Sequence, residues 1–153
     1  MSQQHILILR ELDSPRYLAI WIGRVEAEAI NLFLSGAETP RPLTHELVLR
    51  VLGELDAKLA RVVINDLYQD TYFAQLEIND RGKMISIDSR SSDAIAIAVR
   101  AGVPIFIEES VMDKAGTMPE IEEVTEEKPS ENAPDLGAFD DFINSMDLGD
   151  LDK

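Results

Sequence analysis

Asp88, Arg90 and Asp93 place two carboxylates and a guanidinium where a strand-like run gives way to a helix-like one. Phosphodiester hydrolysis needs a water made nucleophilic and charge neutralised on phosphate oxygens. Carboxylate-held Mg²⁺ or Mn²⁺ and an arginine fork can supply both. Asp88 and Asp93 are therefore candidate catalytic carboxylates and metal ligands, and Arg90 is a candidate phosphate contact. The same residues also read as scaffold, with Asp93 a first-turn helix acid, Arg90 paired to Asp88, and the motif locking a helix to the sheet. His45 follows Thr44 at a second helix start, where the dipole disfavours the protonated ring and leaves a neutral imidazole for general-base or metal-ligand duty. Arg41, just before it, is a second candidate phosphate contact. Against these, His45 reads equally as a solvent-facing or hydrogen-bonded residue, and Pro40 and Pro42 as conformational punctuation around Arg41. Glu26 shares a helical row with Ile30 and Phe33, so an inward carboxylate there would need a partner such as Arg41 or a metal. It is the third candidate metal ligand, beside the plainer reading of an exposed first-turn acid. Asp66 reads as a further ligand or as a turn residue, His5 as structural, Trp21 as core or interface packing, and Gly23 as a backbone hinge.

These residues need elements to hold them, and hydrophobic periodicity supplies a readable order. His5 to Leu12 and Tyr17 to Ile22 are β-rich runs around the turn Asp13-Ser14-Pro15-Arg16, a hairpin pattern. Arg24 to Ser35 has helical spacing, carries Glu26 and Glu28 early, and stops at Gly36. After the stiff Thr39-Pro40-Arg41-Pro42 linker, Thr44 is expected to cap a helix running to about Asp56. Three strands follow at Ala60 to Leu67, Tyr72 to Asn79 and Lys83 to Asp88, joined by connections that suit antiparallel hairpins. Ala94 to Val99 alternates like a strand yet is apolar all round. Ser91 and Ser92 as caps, with Gly102 and Pro104 as a stop, favour a buried helix before a last strand at Pro104 to Glu108. The expected fold is α+β, a largely antiparallel sheet with about three core helices.

Composition narrows the chemistry. The 153 residues contain no cysteine, 2 histidines and 45% apolar side chains. Disulfides, thiolate nucleophiles, cysteine zinc sites and a histidine-rich cage are excluded, so a metal site would be mainly carboxylate. No uncharged run approaches the ~20 residues of a membrane span. Met1 to Asp13 lacks the basic region and long apolar core of a signal peptide, and a cytoplasmic protein is expected. The net charge of −15 is uneven: residues 1–113 hold 11 basic and 17 acidic groups, net −6, and residues 114–153 hold 3 and 12, net −9. Residues 1–113 are read as the domain and 114–135 as an acidic disordered linker. In 136–153, Leu136, Phe139, Phe142, Ile143, Met146 and Leu148 recur at helical spacing among aspartates, the pattern of a short amphipathic helix. That segment either docks on a protein partner, or packs on its own domain or frays in solvent.

Three motifs in order, Trp21-Ile22-Gly23 with Glu26-Ala27, then Pro40-Arg41-Pro42-Leu43-Thr44-His45, then Ile87-Asp88 to Arg90 with Ser92-Asp93-Ala94-Ile95-Ala96, resemble the bifunctional nuclease domain family over roughly residues 5–112. Where the family usually has a proline before the serine, this chain has Ser91. The resemblance implies an α+β domain, found in bacteria and plants, with activity on DNA and RNA; the motifs' carboxylates, with cysteine absent and histidine nearly so, select a hard cation such as Mg²⁺ or Mn²⁺, so that a metal-dependent nuclease is expected. The net charge opposes long-range attraction of nucleic acid, and such an enzyme would depend on bound cations and a few local arginines. The alternative is a non-catalytic, homo-oligomeric interaction or regulatory domain whose acidic tail binds a protein partner.

Overall fold

Alternating apolar residues sort the strands into two sheets. In the computed structural model, which describes residues 5–119, β1 (His5–Arg10) and β2 (Tyr17–Ile22) form an antiparallel hairpin that pairs Ile6 with Trp21 and Leu9 with Leu18. α1 (Arg24–Leu34) and α2 (Thr44–Glu54) follow. Then β3 (Ala57–Tyr68), β4 (Thr71–Asp80) and β5 (Lys83–Arg90) make an antiparallel meander with two register shifts in β3. α3 (Ser91–Ala101) leads to β6 (Ile105–Ile107), which pairs with β3 in parallel, so the order of this sheet is β5-β4-β3-β6. α4 (Glu109–Ala115) and β7 (Gly116–Thr117) end the described chain, and β7 adds to β2 to complete a three-stranded sheet. The α+β class and the dominance of antiparallel pairing are as the sequence implies.

The core explains why α3 is helical despite its alternation. Ala94, Ile95, Ala96, Ile97 and Ala98 are all buried, and α3 packs against α1, α2, β3 and β4. A helix enclosed on every side shows no polar stripe. Val62 and Ile64 from β3, Ala74, Leu76 and Ile78 from β4, and Leu18 and Ile20 from β2 complete the same apolar cluster. Gly102, at φ 66°, ends α3 in the left-handed conformation that glycine adopts without steric penalty.

Several local expectations are revised. Thr44 is the first residue of α2 rather than its cap, which is Leu43. Ser91 and Ser92 lie buried inside the first turn of α3, whose cap is Arg90. Trp21 is outside the core: it is 63% exposed, because β2 turns Leu18 and Ile20 inward and Trp21 to the other face. The helix α4 was not anticipated, since only Val111 and Met112 of its seven residues are buried, too few to show a period. It carries the fold past Asp113, and the compact unit reaches Pro119. The expected acidic linker beyond Pro119 and the amphipathic segment at 136–153 lie outside the described residues. Among the described residues, no helix is long and apolar enough to cross a membrane.

Candidate active site

The first turns of α1, α2 and α3 meet. Glu26 is the third residue of α1, His45 the second of α2, and Asp93 the third of α3, with Arg90 as the α3 cap. Each helix start carries unpaired backbone N–H groups and about half a positive charge, which accounts for an acid in each of these turns, Glu26, Glu46 and Asp93. Three such starts around one point also form a setting that favours a bound anion.

Their side chains are joined in one chain of contacts. Arg90 grips Asp93 with both edges of its fork, Nε donating to Oδ2 at 2.6 Å and Nη2 to Oδ1 at 3.0 Å. Nη1 of Arg90 forms an ion pair with Oε1 of Glu26 at 2.9 Å. Nε2 of His45 lies 2.9 Å from Oδ1 of Asp93. The Arg90 guanidinium, helped by His45, holds the Asp93 carboxyl below its ordinary range against the opposing effect of burial, and the carboxylate in turn raises Arg90. An ionised Asp93 can only accept, so Nε2 of His45 carries the hydrogen of this contact, and in the neutral ring Nδ1 is then the accepting nitrogen. The His45 side chain is 14% exposed, whereas that of Arg90 is 66% exposed.

Gly23 makes the Glu26 arm possible. Its backbone is ordinary extended chain, φ −70°, so conformational freedom is not its role, in contrast to the hinge expected from sequence. A Cβ on Gly23 would collide with Oε2 of Glu26. The glycine leaves room for the Glu26 carboxylate to fold back over the start of α1.

The expected site residues divide accordingly. Glu26, His45, Arg90 and Asp93 come together. Asp88 does not: its neighbours Ile87 and Ser89 pair with Leu76 and Ala74 on the core face, so Asp88 and its partner Gln75 occupy the opposite face. Arg90 has the same strand parity but sits where the chain turns into α3, and its side chain reaches Asp93 instead of Asp88. Arg41 is exposed ahead of α2 with no side-chain ion pair among the described residues; Glu26 pairs with Arg90 in its place. Asp66 sits at a register shift of β3, accepts from its neighbour Leu67 N–H at 2.8 Å, and lies 3.5 Å from Lys114 Nζ. His5 lies half-buried in β1.

The carboxylates do not fit a divalent metal as arranged. Arg90 bridges Glu26 and Asp93, Asp88 is on another face, and among the described residues no group of three or more His, Asp or Glu side chains is placed to hold an ion. Beside the cluster lies a cleft of about 550 Å³ between α1 and the start of α2. Val25, Glu28, Ala29, Asn31, Leu32 and Ser35 form one wall, and Leu43, Thr44 and His45 the other. Sequence reading did not find this cleft. Its signal is the spacing of Glu28, Asn31 and Ser35 along one face of α1, legible only once the facing wall is known.

Comparison with known proteins adds a family context. The model of a family described as the bifunctional nuclease domain matches residues 7–120, a span that contains all four clustered residues. An uncharacterized protein of Mycobacterium tuberculosis is 42% identical over 150 residues, covering 98% of this chain and 90% of that protein. Bifunctional nuclease 2 of Oryza sativa subsp. japonica is 30% identical over 114 residues, covering 72% of this chain and 35% of that protein. Bifunctional nuclease 2 of Arabidopsis thaliana is 27% identical over 108 residues, covering 67% and 33%. The chain spans about a third of the plant relatives it matches and most of the mycobacterial one.

Proposed function

Because this chain belongs to the bifunctional nuclease domain family, we propose that it cleaves phosphodiester bonds in DNA and RNA at the Glu26, His45, Arg90 and Asp93 cluster. The observation that carries the reading is the joining of residues from three distant motifs through contacts of 3.0 Å or less. Asp93 orients His45, whose Nδ1 takes the proton from the attacking water as its oxygen bonds to phosphorus. Arg90 has five N–H donors, three of them engaged, and the other two meet the phosphate oxygens as charge builds there and the leaving P–O bond breaks. Glu26 keeps the guanidinium aimed, and the three helix starts add partial positive charge.

Dependence on Mg²⁺ or Mn²⁺ is part of the reading drawn from sequence, with Glu26 and Asp93 as the donors within reach. To serve, both would have to release Arg90, and no step above passes through a metal. The test is a cleavage assay on highly purified chain with and without excess EDTA, beside Asp93→Asn and His45→Ala variants. Equal cleavage in EDTA supports the guanidinium-centred site. Loss restored by Mg²⁺ or Mn²⁺ means that the carboxylates exchange partners. Activity surviving in both variants would remove the proposal.

A second reading is favoured by one feature. Ile6, Ile8 and Trp21 are exposed together on the outer face of the β1–β2 hairpin, with β1 at the sheet edge. A homo-oligomer could bury them. An inactive wild type that elutes as a dimer would support a non-catalytic interaction domain.

A further inference from the structure

We infer that the cleft between α1 and α2 is a subsite for one unpaired nucleobase, so that the substrate is single-stranded; this rests on the cleavage reading above. His45 belongs to both the cleft wall and the charged cluster, so a ligand seated in the cleft abuts the cluster. The two halves ask for different chemistry. The cluster has an exposed guanidinium with unused donors, which suits a phosphate. The cleft has aliphatic walls from Val25, Leu32 and Leu43, which suit the face of a planar ring. Among the described residues no Lys or Arg lines the cleft, so an anion would find no counter-charge there, and Glu28 on its wall is already paired with Arg24.

Polar groups on that wall match a base edge. Glu28, Asn31 and Ser35 are spaced three and four residues apart on α1, one face of the helix. The Asn31 amide offers a donor and an acceptor, as in asparagine contacts to adenine, and Glu28, whose Oε1 is taken by Arg24 Nε at 2.6 Å, has Oε2 to accept from an exocyclic amine. The volume of about 550 Å³ is within the range of small-ligand sites, roughly 300 to 1,000 Å³, ample for a base with its sugar. Within a duplex, the ring faces are stacked and the pairing edges occupied, so only an unpaired or extruded base can enter. Sugar identity is not read by any of these contacts, which fits one site acting on both DNA and RNA.

The experiment uses the full chain and a labelled oligonucleotide, offered single-stranded or as a blunt duplex. Wild type, Ala29→Leu, which narrows the cleft, and Asn31→Ala, an exposed position, are compared for cleavage, with melting temperature measured on the same samples. Wild type should cleave the single strand at least about tenfold faster. Ala29→Leu should remove most of that preference by raising KM, and Asn31→Ala should alter which base flanks the cut, both at unchanged melting temperature. Equal rates on the two substrates would overturn the inference. So would unaltered single-strand cleavage in both variants while His45→Ala is inactive, a result that leaves the nuclease reading intact. If wild type cleaves nothing, the nuclease reading fails and the cleft is judged by NMR titration with the four ribonucleoside monophosphates. Shifts at Leu32 and Leu43 uphold it, and their absence sinks it.

Discussion

Arg16 and Arg90 each sit between two carboxylates, yet their surroundings differ. Arg16 donates to Glu11 at 2.9 and 3.0 Å and to Glu109 at 2.7 and 3.3 Å, fastening the first hairpin to α4. Four donor contacts leave little capacity on a guanidinium with five N–H groups, and its side chain is 29% exposed. Arg90 spends three, is 66% exposed, and stands beside a histidine, three helix starts and a cleft. On the function proposed above, ion pairs of the same type serve in one place as a fastening and in the other as a site. Donors left over and the surroundings separate the two, while the residue types do not.

Breaking this contrast begins with the largest effect. His45→Ala should lower cleavage by about 10² to 10⁴, the usual contribution of a general base, whereas Arg16→Met should leave cleavage within about twofold and lower the melting temperature. A loss in Arg16→Met as deep as in His45→Ala would erase the distinction. Arg90→Lys keeps the charge and removes the fork, and a fall of roughly 10- to 100-fold in kcat/KM is expected. Arg90→Lys at wild-type rate would return Arg90 to the role that Arg16 plays. Gly23→Ala is expected to reduce cleavage several-fold by displacing Glu26, and combining it with Glu26→Ala should add nothing to Glu26→Ala alone. Additive losses in that cycle would show that Gly23 acts elsewhere.

The smallest effect concerns pH. Asp93 titrates lower in the folded chain than its ordinary value near 3.9, so its stabilising contribution is complete above the unfolded pKa and disappears as pH falls through the folded one. Urea midpoints measured from pH 6 down to pH 3 should fall less steeply in Asp93→Asn than in wild type. Parallel curves would mean that the pair with Arg90 does not persist in solution.

The strands, the three long helices and three of the four clustered residues' neighbourhoods were legible because each depends on local pattern: alternation in β4, an apolar stripe in α2, acids in the first turns of α1 and α3. What the sequence could not show was pairing across distance. Asp88 stands two residues from Arg90 and looked like its partner, but strand parity puts it on the far face while a turn at Arg90 redirects the guanidinium to Asp93 and Glu26. Glu26 could be read as an inward acid needing a partner such as Arg41 or a metal, or as an exposed first-turn acid, and its pairing with Arg90 was not legible, since nothing local says which segment faces α1. Nor does alternation reveal that the strands divide into two sheets, or that Trp21 looks outward.

The small sheet is assembled from both ends of the described chain, with Tyr17 opposite Thr117, a hundred positions later. On a ribosome, the first hairpin therefore waits for its third strand, Gly116 and Thr117 against Leu18 and Tyr17, until nearly the whole domain has emerged. A contact of such sequence separation slows folding, and an open strand edge is also where nascent chains join one another. The same pairing that adds the third strand to the native sheet is thereby a late step in the folding of the nascent chain.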